Sequence, residues 1–192
     1  MKKFELTTEF ITNAFGKKLF RIKALVEFGD VKAGELGGYV EKEGNVSQAD
    51  NAWVSGDARV YGDARVCGNA RVYGNARVYD NAWVYDNAWV CGNARVYGDA
   101  WVSGNARVYG DAWVSGNADY ALVQGFGTEF RCTTFYRGKN KKIMVNCGCF
   151  HGDLEAFRKQ VKETRSGKIA KEYLMIADLM EYHFTSEDSS DE

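Results

Sequence analysis

The sequence predicts a mainly β chain: a parallel β-solenoid in its middle third, an N-terminal β cap and a small α+β C-terminal domain. Three observations carry this. From Ala52 to Val114 the pattern Ala-x-Val returns every six residues without a break, with alanines at 52, 58, 64, 70, 76, 82, 88, 94, 100, 106 and 112. Each unit closes on Tyr, Ser or Cys, then Gly or Asp, then Asn or Asp, as in YGD, YGN, CGN, YDN and SGN. Proline is absent from the whole chain, as expected where each one would remove a ladder hydrogen bond from a central strand.

Residues 1–45 read as the cap. Phe4–Phe10 and Leu19–Phe28 alternate in strand fashion around the turn Asn13-Ala14-Phe15-Gly16-Lys17. The glycine-rich run Gly34-Glu35-Leu36-Gly37-Gly38-Tyr39 leads into the first coil. It matches neither of the common phosphate-binding glycine motifs. Solenoids need covered ends, so capping is the expected role.

The repeats span residues 46–120, with degenerate units at Val46-Ser47-Gln48 and Ala118-Asp119-Tyr120. A period of six does not suit a helix, whose apolar stripe returns about every 3.6 residues. Small-in, x-out, valine-in is strand alternation. The following Gly-Asn or Gly-Asp supplies residues that tolerate positive φ at a tight corner.

These hexads resemble the left-handed parallel β-helix of the hexapeptide-repeat families. The resemblance implies three hexads per coil, so each residue sits above its counterpart 18 positions later. The outward slots then sort into three columns: Trp53, Arg71, Trp89, Arg107; Arg59, Arg77, Arg95, Trp113; and Arg65, Trp83, Trp101, Asp119. All five tryptophans occupy this slot. Tyr61, Tyr79 and Tyr97 form a corner column, and Asn69, Asn87 and Asn105 a polar ladder.

The Trp/Arg columns are the candidate binding surface. Cation–π contacts along them would stabilise the coils, each by roughly 0.5–1 kcal/mol. The resemblance also implies a homo-oligomer, commonly a trimer packed through flat faces. Aromatic and guanidinium groups on a rigid sheet suit a host protein partner, or a nucleotide or nucleic acid. Against the last, the unbroken hexads from Ala52 to Val114 balance six arginines with six aspartates, at 57, 63, 80, 86, 99 and 111. Many proteins with such repeats are acyltransferases, and their resemblance implies a histidine base in or beside the coils. Here His151 and His183 both fall outside the repeat, so no enzyme, catalytic residue or cofactor is expected.

Residues 121–184 form the α+β domain. Glu129–Arg137 and Lys141–Asn146 read as a hairpin around Gly138-Lys139-Asn140. Asp153 is placed to cap a helix to about Arg165, with Leu154, Phe157 and Val161 on one face. A second helix, about Lys168 to Phe184, aligns Tyr173, Ile176, Met180 and Phe184. Together these predict a ββαα arrangement. Cys147-Gly148-Cys149-Phe150-His151, with Cys132 and His183, offers zinc ligands, but C-x-C is tighter than the usual pairing. On a continuous strand, Cys147 and Cys149 would share one face as small core residues. Residues 185–192 are acidic and expected to be disordered.

Lys+Arg number 25 against 26 Asp+Glu, which gives no support to generic DNA or membrane binding. No apolar run is long enough to span a bilayer. The start MKKFELTTEF lacks the apolar core and cleavage site of a signal peptide, and five cysteines is an odd number, so a reduced cytoplasmic setting is expected. The whole chain also resembles small phage- and prophage-encoded proteins, through the segment Gly29 to Gly38, the hexads, and Gly-Cys-Phe-x-Gly at Gly148 to Gly152. That resemblance implies a bacterial host cell, and the expected role is a non-catalytic interaction protein that inhibits or sequesters a host-defence component.

Overall fold

The computed structural model describes residues 2–185. Nearly all of the acidic tail therefore lies outside the described residues. Strands β1 (Phe4–Thr12), β2 (Lys18–Ala24) and β3 (Leu36–Val40) open the chain. Eleven two-residue strands follow: β4 to β14 are Trp53–Val54, Arg59–Val60, Arg65–Val66, Arg71–Val72, Arg77–Val78, Trp83–Val84, Trp89–Val90, Arg95–Val96, Trp101–Val102, Arg107–Val108 and Trp113–Val114. They wind as a left-handed parallel β-helix with three faces. Register along every face is 18 residues, as in Trp53↔Arg71 and Arg65↔Trp83.

Every alanine and valine of the eleven hexads from Ala52 to Val114 is wholly buried. Burying a valine side chain stabilises by about 1.5–3 kcal/mol, and here each valine lies against the valines of the adjoining coils. The corners turn through positive φ. Where aspartate replaces glycine, at Asp80 and Asp86, φ is 60° and 58°, a conformation that aspartate tolerates better than most residues.

The N-terminal end is closed by side chains acting as backbone. Gln48 Oε1 accepts from the Lys3 and Phe4 amides at 2.8 and 3.2 Å, and its Nε2 donates to Phe4 O at 3.1 Å. Lys3 Nζ donates to Asp50 O and Ala52 O at 2.7 and 2.8 Å. Burial brings the Lys3 ammonium down to about 8, opposed by the nearby Asp50 carboxylate. Strand β3 pairs antiparallel with β2 and parallel with β5, so the cap sheet runs on into one solenoid face. A Cβ on Gly38 would lie 2.6 Å from Ala58 O, so the glycine pair is there for close packing.

The C-terminal region is a four-stranded antiparallel sheet with two helices. The strands are β15 (Tyr120–Phe126), β16 (Arg131–Arg137), β17 (Ile143–Cys147) and β18 (Phe150–Asp153), in that order. Helices α1 (Leu154–Thr164) and α2 (Gly167–Thr185) follow. The expected hairpin is β16–β17, but it has a further strand on each side. Asp153 caps α1 as predicted, accepting from Ala156 N at 2.9 Å. The sheet closes the last coil: Tyr136 enters the solenoid core, Thr134 Oγ1 accepts from Arg107 N at 3.0 Å, and Lys139 N donates to Asp111 O at 2.9 Å.

Candidate binding faces

Face one consists of β4, β7, β10 and β13, and carries Trp53, Arg71, Trp89 and Arg107 outward. Trp53 does not reach the surface. Phe4 and Phe28 meet its ring edge-on, with centroids 6.2 and 5.4 Å away, and it is 2% exposed. The outward slot is correct, but the cap covers it. Arg71 is paired with Asp30 of the cap. The open part is Trp89, with the Arg107 guanidinium 5.0 Å over its ring and Tyr73 at its edge.

Face two is β5, β8, β11 and β14, headed by β3, with Arg59, Arg77, Arg95 and Trp113 below Tyr39. The Arg95 guanidinium lies 5.0 Å from the Trp113 ring. Beside the column, Tyr61, Tyr79 and Tyr97 stack at 5.0 and 5.1 Å, nearly parallel. Strands β1 and β2 are nine and seven residues long, against two for each coil strand, and their turn reaches the arginines. Asn13, Ala14 and Phe15 of that turn, with Arg59, Arg77, Arg95, Tyr61 and Tyr79, line a groove of about 310 Å³. Among the described residues the arginines held in ion pairs are Arg21, Arg71, Arg137 and Arg158, none of them in this groove. Burial raises the Tyr61 hydroxyl above its ordinary value, while Arg77, Arg95 and Arg59 act the other way.

Face three is β6, β9 and β12, with Arg65, Trp83 and Trp101. The two indoles stack at 5.7 Å and 24°, and Arg65 lies 5.3 Å from Trp83. Trp101 is half exposed. Asp119 does not continue this column as the spacing suggests. A 3-10 turn at Asn117–Asp119 takes the chain out of register, and Asn117 Oδ1 accepts from Trp101 N in its place. The Asp119 carboxylate accepts from Ser115 N and Oγ and pairs with Arg137 Nε at 2.9 Å. The asparagine ladder forms: Asn51, Asn69, Asn87 and Asn105 are linked amide to amide at 3.0, 3.0 and 3.4 Å.

The cysteine–histidine segment is split by a tight turn at Gly148-Cys149. Cys147 pairs with Phe150, and both pack toward the helices; Cys147 Sγ accepts from Thr133 Oγ1 at 3.1 Å. His151 pairs with Asn146 on the opposite face, toward the solenoid, and its Nε2 lies 3.0 Å from the Tyr136 hydroxyl. Cys149 is exposed at the turn, so the expected shared face with Cys147 does not arise. Among the described residues no group of three or more His, Cys, Asp and Glu is placed to hold a metal ion. The return of His151 to the last coil, beside Tyr109, had no signal in the repeat spacing.

A family model described as the YdcK β-solenoid repeat matches residues 52–68, 64–79, 70–86, 76–91, 88–104 and 100–116. The chain is similar to that family over its coils. No curated protein matches the chain. No helix among the described residues is long and apolar enough to cross a membrane.

Proposed function

We propose that the protein is a non-catalytic binding protein, phage- or prophage-encoded as its likeness implies, that engages a host component through its outward Trp/Arg faces. The observation that carries this reading is the stacked Trp83–Trp101 pair on face three, with Trp101 half exposed on a strand fixed by its neighbours. Exposed tryptophans on a rigid ladder lose little entropy on contact, and tryptophan dominates many interface hot spots. Sequestration of a host-defence component is the role this surface suits. The test is affinity capture from bacterial lysate with the wild type and with Trp83→Ala/Trp101→Ala. A reproducible partner kept by the first and lost by the second is expected; identical profiles from both would sink the reading.

Assembly is the second reading. Lys3, Gln48 and Phe4 cover one end of the solenoid and Tyr136 the other, which favours lateral contact through the faces, as in a trimer, over end-to-end growth. A strictly monomeric species by light scattering at micromolar concentration would remove it. Acetyl-CoA is expected to give no binding heat.

A further inference from the structure

We propose that the groove on face two is a binding site for nucleotides carrying several phosphate charges. The phosphates would lie over Arg59, Arg77 and Arg95, and the base against Phe15. This site is separate from the tryptophan pair of face three and does not depend on the partner proposed for it.

The argument begins with charge. In face one Arg71 is neutralised by Asp30, and Trp89 separates it from Arg107; in face three Arg65 is the only arginine. Face two alone places three guanidinium groups in consecutive coils, about 4.8 Å apart along the ladder. Like charges at that spacing repel, and among the described residues no carboxylate pairs with any of the three. Of the corner aspartates nearby, Asp63 pairs with Lys42 and Asp99 accepts from Asn81, while Asp80 lies toward Tyr61 and Tyr79 and pairs with none of the three arginines. A column of unpaired arginines in a groove of about 310 Å³ suits an anion with more than one charge.

The aromatic groups refine the ligand class. Tyr61, Tyr79 and Tyr97 already cover one another's faces, so a base has no room between them. Tyr61 and Tyr79 form the wall of the groove. Phe15 is different: it sits at the hairpin tip, 79% exposed, and it lines the same groove. An aromatic ring on one side and three guanidinium groups below match a molecule with a flat ring at one end and phosphates at the other. The shared chemistry is a phosphorylated nucleoside, supplied either as a free di- or triphosphate or as the end of a single strand.

Calorimetry on the full chain would decide, with ATP and a short oligo-deoxythymidylate as probes, and inorganic triphosphate and oligo-glutamate as comparisons. Saturable binding of ATP, of the oligonucleotide or of both is expected, and which of them binds identifies the source. Arg77→Ala should weaken binding roughly tenfold or more, the usual worth of a charge-assisted hydrogen bond. Phe15→Ala should weaken nucleotide but not inorganic triphosphate, and Arg65→Ala on face three should change nothing. Circular dichroism would establish that each variant keeps its fold. The site is overturned if neither nucleotide probe binds at millimolar concentration, or if Arg77→Ala binds as well as the wild type. Equal affinity for nucleotide and inorganic triphosphate, or for oligo-glutamate, would overturn the nucleotide assignment.

Discussion

In the coils the core is made from two residue types, Ala and Val, each stacked on its like in the next coil. In the C-terminal unit it is made from large, unlike groups: Phe135, Leu154, Phe157, Tyr173, Ile176, Met180 and Phe184. The first core is a column in which each layer touches only the layers beside it. The second is a cluster in which Phe157 meets Phe135, Phe150 and Tyr173 at once. Damage to a coil should therefore stay local, and damage to the cluster should spread through the sheet and both helices.

Phe157→Ala tests that contrast with the largest expected effect, about 3–5 kcal/mol. Helical circular dichroism should be lost at a lower denaturant concentration than in the wild type, while the coil signal persists. Simultaneous loss of both signals would break the comparison and make the protein one cooperative unit. Val84→Ala, between Val66 and Val102, should cost about 2–3 kcal/mol and leave the helices unaffected.

Lys3→Met sharpens the comparison at the other end. It leaves Asp50 O and Ala52 O without their donor, and should lower stability by about 1–3 kcal/mol, with early loss of amide protection confined to the first coil. Asp153→Ala is the smallest, about 1 kcal/mol, felt by α1 alone. The Ala156 amide holds the Asp153 carboxyl below its ordinary value, and the Gly68 amide does the same for Asp50. A carboxyl lowered in the native state contributes fully above its unfolded value near about 4, and the contribution is lost as pH falls through the lower native value. The denaturant midpoints of the wild type and Asp153→Ala should thus differ at neutral pH and converge in acid.

Most of the solenoid was legible in the sequence, because its contacts are set by a short period. Once the resemblance sets three hexads per coil, placing Val66 on Val84 requires only counting, and so does the Tyr61–Tyr79–Tyr97 stack. Helix α1 was legible for a similar reason: Asp153 and the Leu154, Phe157, Val161 stripe are local features. Strands β15 and β18 were not. Tyr120 looked like a last degenerate hexad, and only pairing with Tyr136 makes it the first residue of an antiparallel strand. Of the candidate surface, the column order of its arginines and tryptophans was readable, but their exposure was not.

Trp53 and Trp101 show where that boundary falls. Both stand in an Ala-Trp-Val unit, and the repeat directs both side chains outward. Trp53 is buried under Phe4 and Phe28, while Trp101 is half exposed. The hexad determined the short strand, the corner and the outward or inward direction of its side chains, because these depend on φ, ψ and side-chain size within six residues; the 18-residue register followed from the resemblance. Tertiary structure decided which outward groups are covered and which line a groove. Those outcomes depend on cap residues brought over the coils from as far away as Phe15 is from Arg95.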